Sequence, residues 1–121
     1  WNFNKIITDV GGIGAGVTDM LIEKLGKSKV HGIDNSAKAV ESHKIKAIMK
    51  EDLYSNALVL MERGQIDIIA NLRLQRSLKS MTFKYTSEQK LLISGAYSHL
   101  SEAFVRACWC VKSKHLNLFV A

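Results

Sequence analysis

Carboxylates at the ends of apolar runs are the residues whose type and spacing could do chemistry. Asp9 closes Ile6-Ile7-Thr8, and Asp34 closes Val30-His31-Gly32-Ile33. Glu102 stands far downstream, just after Ser98, which can cap a helix. An acid at the C-terminal end of a parallel strand sits where ligands collect in open α/β sheets. Hard cations take oxygen ligands, so acids converging from distant segments suit Mg²⁺ or Mn²⁺. Two such ions, about 4 Å apart, activate a water and stabilise the leaving oxygen of an in-line displacement. Each acid also has a quieter use. Asp9 can accept the N–H groups of the turn that follows it, and a strand-end Asp such as Asp34 more often starts a turn. Glu102 suits a helix N-terminus on charge alone, and an i,i+4 pair with Arg106 would keep it on a solvated face.

The elements that must position these acids are legible. Residues 6–9 and 30–34 read as parallel strands, joined by a glycine-dense turn (Gly11, Gly12, Gly14, Gly16) and an amphipathic helix over 17–25. Such a crossover is right-handed by default. From Lys44 to Arg63, the residues Ile45, Ile48, Met49, Leu53, Ala57, Leu60 and Met61 recur at helical spacing, with Gly64 placed as a C-terminal cap. Ile66–Ile69 reads as a short strand or an extended piece, and residues 72–81 as a helix with Asn71 as its cap. Residues 83–85 and 90–93 predict a hairpin around Ser87, Glu88 and Gln89. A last helix runs from Ser98 to about His115, and residues 116–120 form an apolar tail suited to an edge strand. On a helical wheel, Leu100, Ala103, Phe104, Ala107, Cys108 and Val111 make one apolar stripe, which puts Glu102 on the opposite side near Val105 and Trp109.

Three chemistries use a strand, a glycine turn and a strand-end acid. The dinucleotide pattern needs Gly at i, i+2 and i+5, and neither Gly12-Gly14-Val17 nor Gly14-Gly16-Asp19 supplies it. Asp9-Val10-Gly11-Gly12-Ile13-Gly14 resembles the cofactor loop of class I S-adenosylmethionine-dependent methyltransferases, and Val30–Asp34 their ribose-binding strand. That loop reads D-x-G-x-G-x-G, and here Ile13 stands where its second glycine belongs. A β-branched side chain there tolerates neither positive φ nor close approach of a cofactor.

The third resemblance covers residues 5–110. The chain is similar to the nuclease domain of the large terminase subunit of tailed viruses, including archaeal relatives. The matching segments come in family order: residues 6–17 with Asp19 and Leu21; Val30-His31-Gly32-Ile33; residues 46–53 through Leu60–Gly64 and Ile66; Leu74–Leu78; Phe83-Lys84-Tyr85; Leu91-Leu92-Ile93; and His99-Leu100-Ser101-Glu102-Ala103. The last segment stands where the family shows Asp-Leu-Ala-Asp-Ala, so His99 and Glu102 replace the two aspartates. The resemblance implies an α/β, RNase H-like fold: a mixed, largely parallel sheet of about four to five strands with helices on both faces. It implies a Mg²⁺- or Mn²⁺-dependent endonuclease that cuts double-stranded viral DNA during packaging. Asp9 and Glu102 would be its catalytic metal ligands, with Asp34 as an auxiliary acid. Expected partners are an upstream ATPase domain and other packaging proteins, inside the host cell. The family's first catalytic Asp lies on a strand upstream of this sequence. The 121 residues are therefore expected to be a single truncated domain, inactive alone and prone to self-association through an unpaired strand edge. The non-catalytic alternative is a remnant that binds DNA or a packaging partner.

Bulk composition agrees with one globular domain. The chain is 47% hydrophobic and 23% charged, so it can bury a core. It has no membrane-spanning run and no signal-peptide character. A net charge of +6 favours a polyanionic partner. Arg73, Arg76 and Lys79 recur on one helix as candidate nucleic-acid contacts, and Lys38, Lys44, Lys46 and Lys50 add charge upstream. Phe83 and Tyr85 project from the same side of one strand, better suited to core packing than to base stacking. His99 reads as a cap-region residue with local hydrogen bonds. Cys108 and Cys110 diverge on a helix, so they read as small buried hydrophobes rather than metal ligands.

Overall fold

In a computed structural model, residues 2–40, 47–88 and 91–112 are described. They form an α/β domain of four helices and two small sheets: β1 (Ile6–Asp9), α1 (Gly14–Leu25), β2 (Val30–Ile33), α2 (Met49–Glu62), α3 (Leu72–Lys79), β3 (Met81–Tyr85), β4 (Leu91–Gly95) and α4 (Ser98–Lys112). The expected segments at 44–46, 113–115 and 116–120 lie outside the described residues, and so do Lys44 and Lys46.

β1 and β2 pair in parallel, Ile6 opposite Val30 and Asp9 opposite Ile33. Strand side chains alternate between faces. Thr8 therefore meets α1, where its Oγ1 lies 2.8 Å from that of buried Thr18. Asp9 points the other way and meets Arg106 of α4. The parallel pair is thus covered by α1 on one face and α4 on the other. The turn between β1 and α1 is tight. A Cβ at Gly14 would overlap the carbonyl oxygen of Asp9, so only glycine lets α1 start this close to the strand end. Ile13 beside it is helical in φ and 93% exposed.

Among the described residues the strands lie in two sheets, not in the single mixed sheet of four to five strands that the resemblance implies. Among the described residues, β3 and β4 form a separate antiparallel hairpin, Met81 opposite Gly95. Of the two readings of Ile66–Ile69 the strand is not formed: among the described residues the segment is irregular chain with no ladder partner. Ile66 still packs on the core while Ile69 faces out, so β-prone residues here serve burial without pairing.

The core lies between α2, α4 and β4. Met49, Leu53, Tyr54 and Ala57 meet Ile93, Val105 and Cys108. Leu53 is fully buried, and removing a side chain of that size from water contributes about 1.5–3 kcal/mol. α2 stops as its sequence says. Gly64 adopts φ +63°, its N–H bonds to Met61 O, and the Gln65 N–H bonds to Leu60 O, the paired bonds of a Schellman cap. Asn71 caps α3, its Oδ1 accepting from the N–H groups of Arg73 (2.9 Å) and Leu74 (3.1 Å). α3 packs closely on α4 through buried Ser77 and Ser101, whose hydroxyls are 2.7 Å apart.

α4 buries only part of the stripe its wheel predicts, with Cys108 inside and Phe104 packed on the core. Ser101, Val105, Arg106 and Cys108 are buried, whereas Leu100, Ala103, Ala107 and Val111 are exposed. Polar side chains win the inner face because each is matched there: Ser101 by Ser77 and Arg106 by acids. Phe83 and Tyr85, assigned to core packing, are more than half exposed. Phe83 nevertheless meets Tyr54 edge-on, with ring centroids 6.2 Å apart.

Candidate functional site

The two acids singled out in the sequence converge on Arg106. β1 ends at Asp9 because the chain turns sharply there, and the Gly11 N–H donates to Asp9 Oδ1 at 2.9 Å. The other oxygen, Oδ2, lies 2.8 Å from Arg106 Nη2. Arg106 is one helical turn beyond Glu102 on α4, and its Nη1 lies 2.8 Å from Glu102 Oε2. The expected i,i+4 pair therefore forms, but in the interior rather than on a solvated face, since Arg106 is only 4% exposed. Nη2 also donates to Asn35 Oδ1 at 2.9 Å, and Nη1 to the Glu102 carbonyl at 3.0 Å.

Glu102 is held from every side. Asn35 Nδ2 donates to Oε2 at 3.2 Å, the Tyr54 hydroxyl donates to Oε1 at 3.0 Å, and Lys50 Nζ lies 3.0 Å from Oε1. Burial by itself would raise the Glu102 carboxyl. The hydrogen bonds from Arg106 and Lys50, the attraction of Lys50 and the Tyr54 hydroxyl outweigh it and hold the carboxyl below its usual value. The Tyr54 phenol is pushed strongly upward, by burial first and then by the Glu102 charge and hydrogen bond. Two carboxylates and two cations thus close into a neutral, hydrogen-bonded cluster.

Asp34 stays outside this cluster. Its Oδ1 accepts from the Ser36 N–H (2.8 Å) and the Ser36 hydroxyl (2.7 Å), and those bonds lower its pKa. Its neighbour Asn35 reaches the site instead. Lys50, one of the upstream lysines that add charge, is committed to Glu102. Asn35, Lys50 and Tyr54 were not legible as site residues. The one available signal is spacing: Lys50 and Tyr54, like Glu102 and Arg106, are four apart on one helix face. Cys108 is buried and Cys110 half-buried, both free, with burial raising both thiols.

The basic residues of α3 divide. Arg73 and Arg76 line a cavity of about 820 Å³ with Ser77, Tyr97, His99 and Leu100. Lys79 is not among its lining residues, because successive three-residue steps drift round the helix. His99 lies in the first turn of α4 and faces this cavity.

Asp9 and Glu102 have the right chemistry for a hard cation, but their surroundings do not fit one. Arg106 already bridges them, Lys50 adds a second positive charge, and Glu102 has both oxygens engaged. Among the described residues, no group of three or more His, Cys, Asp or Glu side chains could hold a metal ion. Likewise, no helix among them is long and apolar enough to cross a membrane. No known protein family, curated protein or solved structure matches the chain.

Proposed function

We propose that the chain is a nucleic-acid-binding domain of terminase-nuclease type, in which Arg106 takes the place that a metal ion would need between Asp9 and Glu102. The observation that carries this reading is the Asp9–Arg106–Glu102 bridge. It supports the RNase H-like resemblance, because acids from the first strand and the last helix meet beside the strand end. It weighs against cleavage by this chain as arranged, because a divalent ion would have to expel a buried guanidinium. We therefore derive no cleavage step. The net charge of +6 and the Arg73–Arg76 pair, with no ion-pair partner among the described residues, favour binding to phosphates.

The test is DNA binding by the full chain in EDTA, repeated with Mn²⁺, while backbone NMR signals near Asp9 and Glu102 are followed. The reading predicts metal-independent binding and no joint paramagnetic broadening of the two acids. Joint broadening would restore the metal-dependent nuclease reading. No DNA binding in either buffer would sink the proposal.

A further inference from the structure

The cavity between α3 and the start of α4 has features that a merely solvated basic face lacks. Its volume, about 820 Å³, falls in the range of small-molecule clefts, about 300–1,000 Å³. Arg73 and Arg76 stand one turn apart on its wall, and neither guanidinium has an ion-pair partner among the described residues. No carboxylate lines it among those residues. Planar, forked guanidinium groups bind phosphate oxygens in pairs, and two on one wall fit a single phosphate group.

Tyr97, 70% exposed, lines the same cleft. Its backbone is fixed at both ends by Ser77 of α3 and by Ser80, the residue that caps that helix. The Ser77 hydroxyl donates to the Tyr97 carbonyl, and the Tyr97 N–H donates to Ser80 Oγ at 3.3 Å. Ser77 Oγ in turn accepts the Ser101 N–H at 2.9 Å, which locks the start of α4 against the same serine. An exposed aromatic ring on a pinned backbone loses little freedom when a flat ligand stacks on it. Leu100 adds apolar surface, and His99 adds a ring nitrogen.

From this arrangement we infer that the cleft takes one nucleotide of a single strand, its phosphate on Arg73 and Arg76 and its base on Tyr97. The inference rests on the nucleic-acid reading above and narrows it. A cleft of this size accepts a splayed nucleotide, whereas stacked pairs in a duplex keep their faces covered. Stacking on an aromatic ring is also tolerant of sequence, so no base preference is expected.

Fluorescence anisotropy in EDTA, with labelled oligo(dT) and a duplex of equal length, tests this. Oligo(dT) is expected to bind at least about tenfold more tightly than the duplex. Tyr97→Ala is expected to weaken oligo(dT) about tenfold, the scale of one lost base stack, while Tyr97→Phe keeps most of the affinity. Arg73→Ala and Arg76→Ala should each weaken it more than Lys79→Ala. These side chains are exposed, and circular dichroism checks that each variant is folded. Duplex binding as tight as oligo(dT), or affinity unchanged in Tyr97→Ala, overturns the nucleotide cleft and leaves the broader DNA-binding reading standing. Failure of a folded protein to bind either DNA overturns both.

Discussion

Arg106 Nη2 lies 2.8 Å from Asp9 Oδ2, so a side chain of the last helix neutralises the acid that ends the first strand. The same guanidinium holds Glu102, and the charge it supplies is nearly removed from solvent. Breaking a buried pair by deleting one partner typically costs about 3–5 kcal/mol, because the remaining charges stay desolvated. Asp9 is 45% exposed and Glu102 keeps Lys50, so Arg106→Ala should destabilise the chain at the lower end of that range, by about 3 kcal/mol in urea unfolding. Replacing Arg106 by Met together with Glu102 by Gln should recover part of that loss. A loss below about 0.5 kcal/mol would show that the bridge contributes no more than an exposed pair does.

Acid sensitivity follows from Glu102. Its carboxyl is held below the ordinary 4.5, so the folded state binds fewer protons than the unfolded chain. The resulting stability is present above the unfolded value and is lost as the pH falls through the folded one. Unfolding free energy should decline as the pH drops below about 4.5, and Glu102→Gln should flatten that decline. Equal slopes for the two proteins would assign the acid sensitivity to other carboxylates.

The glycine turn is built for packing. Gly14 lies against Asp9's carbonyl, and Asp9 Oδ1 is taken by the Gly11 N–H. Asp34, the acid a methyltransferase would use on the ribose, is bonded to Ser36. S-adenosylmethionine at millimolar concentration should leave amide signals of residues 10–16 unshifted. Saturable shifts confined to that loop would revive the methyltransferase alternative.

β1 has β2 as its only strand neighbour among the described residues. Unpaired strand edges recruit other chains. Sedimentation velocity should show a sedimentation coefficient that rises with protein concentration. A constant monomer value across a hundredfold concentration range would count against association through this edge.

What the sequence made legible was local chemistry. The Asn71 cap, the Gly64 stop, the β1–α1–β2 crossover and the β3–β4 hairpin each depend on a few adjacent residues. What it concealed was tertiary. Of the α4 stripe, Phe104 and Cys108 do meet the core, while Leu100, Ala103, Ala107 and Val111 lost the inner face to residues such as Ser101 and Arg106 that have partners there. A wheel count scores apolarity and cannot see that Arg106 will meet Asp9, or Ser101 meet Ser77. The convergence of Asp9 and Glu102 was expected from the resemblance, and their shared cation was not. Arg106 appeared only as a local partner for Glu102 because nothing in its neighbourhood announces Asp9.

The serine contact between α3 and α4 has a mechanical consequence. Ser77 grips both Tyr97 and the first turn of α4, so the two helices cannot slide past each other without breaking buried bonds. α4 is then anchored to α3 at its first turn. His99 and Leu100, in its first turn, line the cleft, while Glu102 and Arg106 further along hold the first strand. One helix thus carries side chains of both the cleft and the acid cluster.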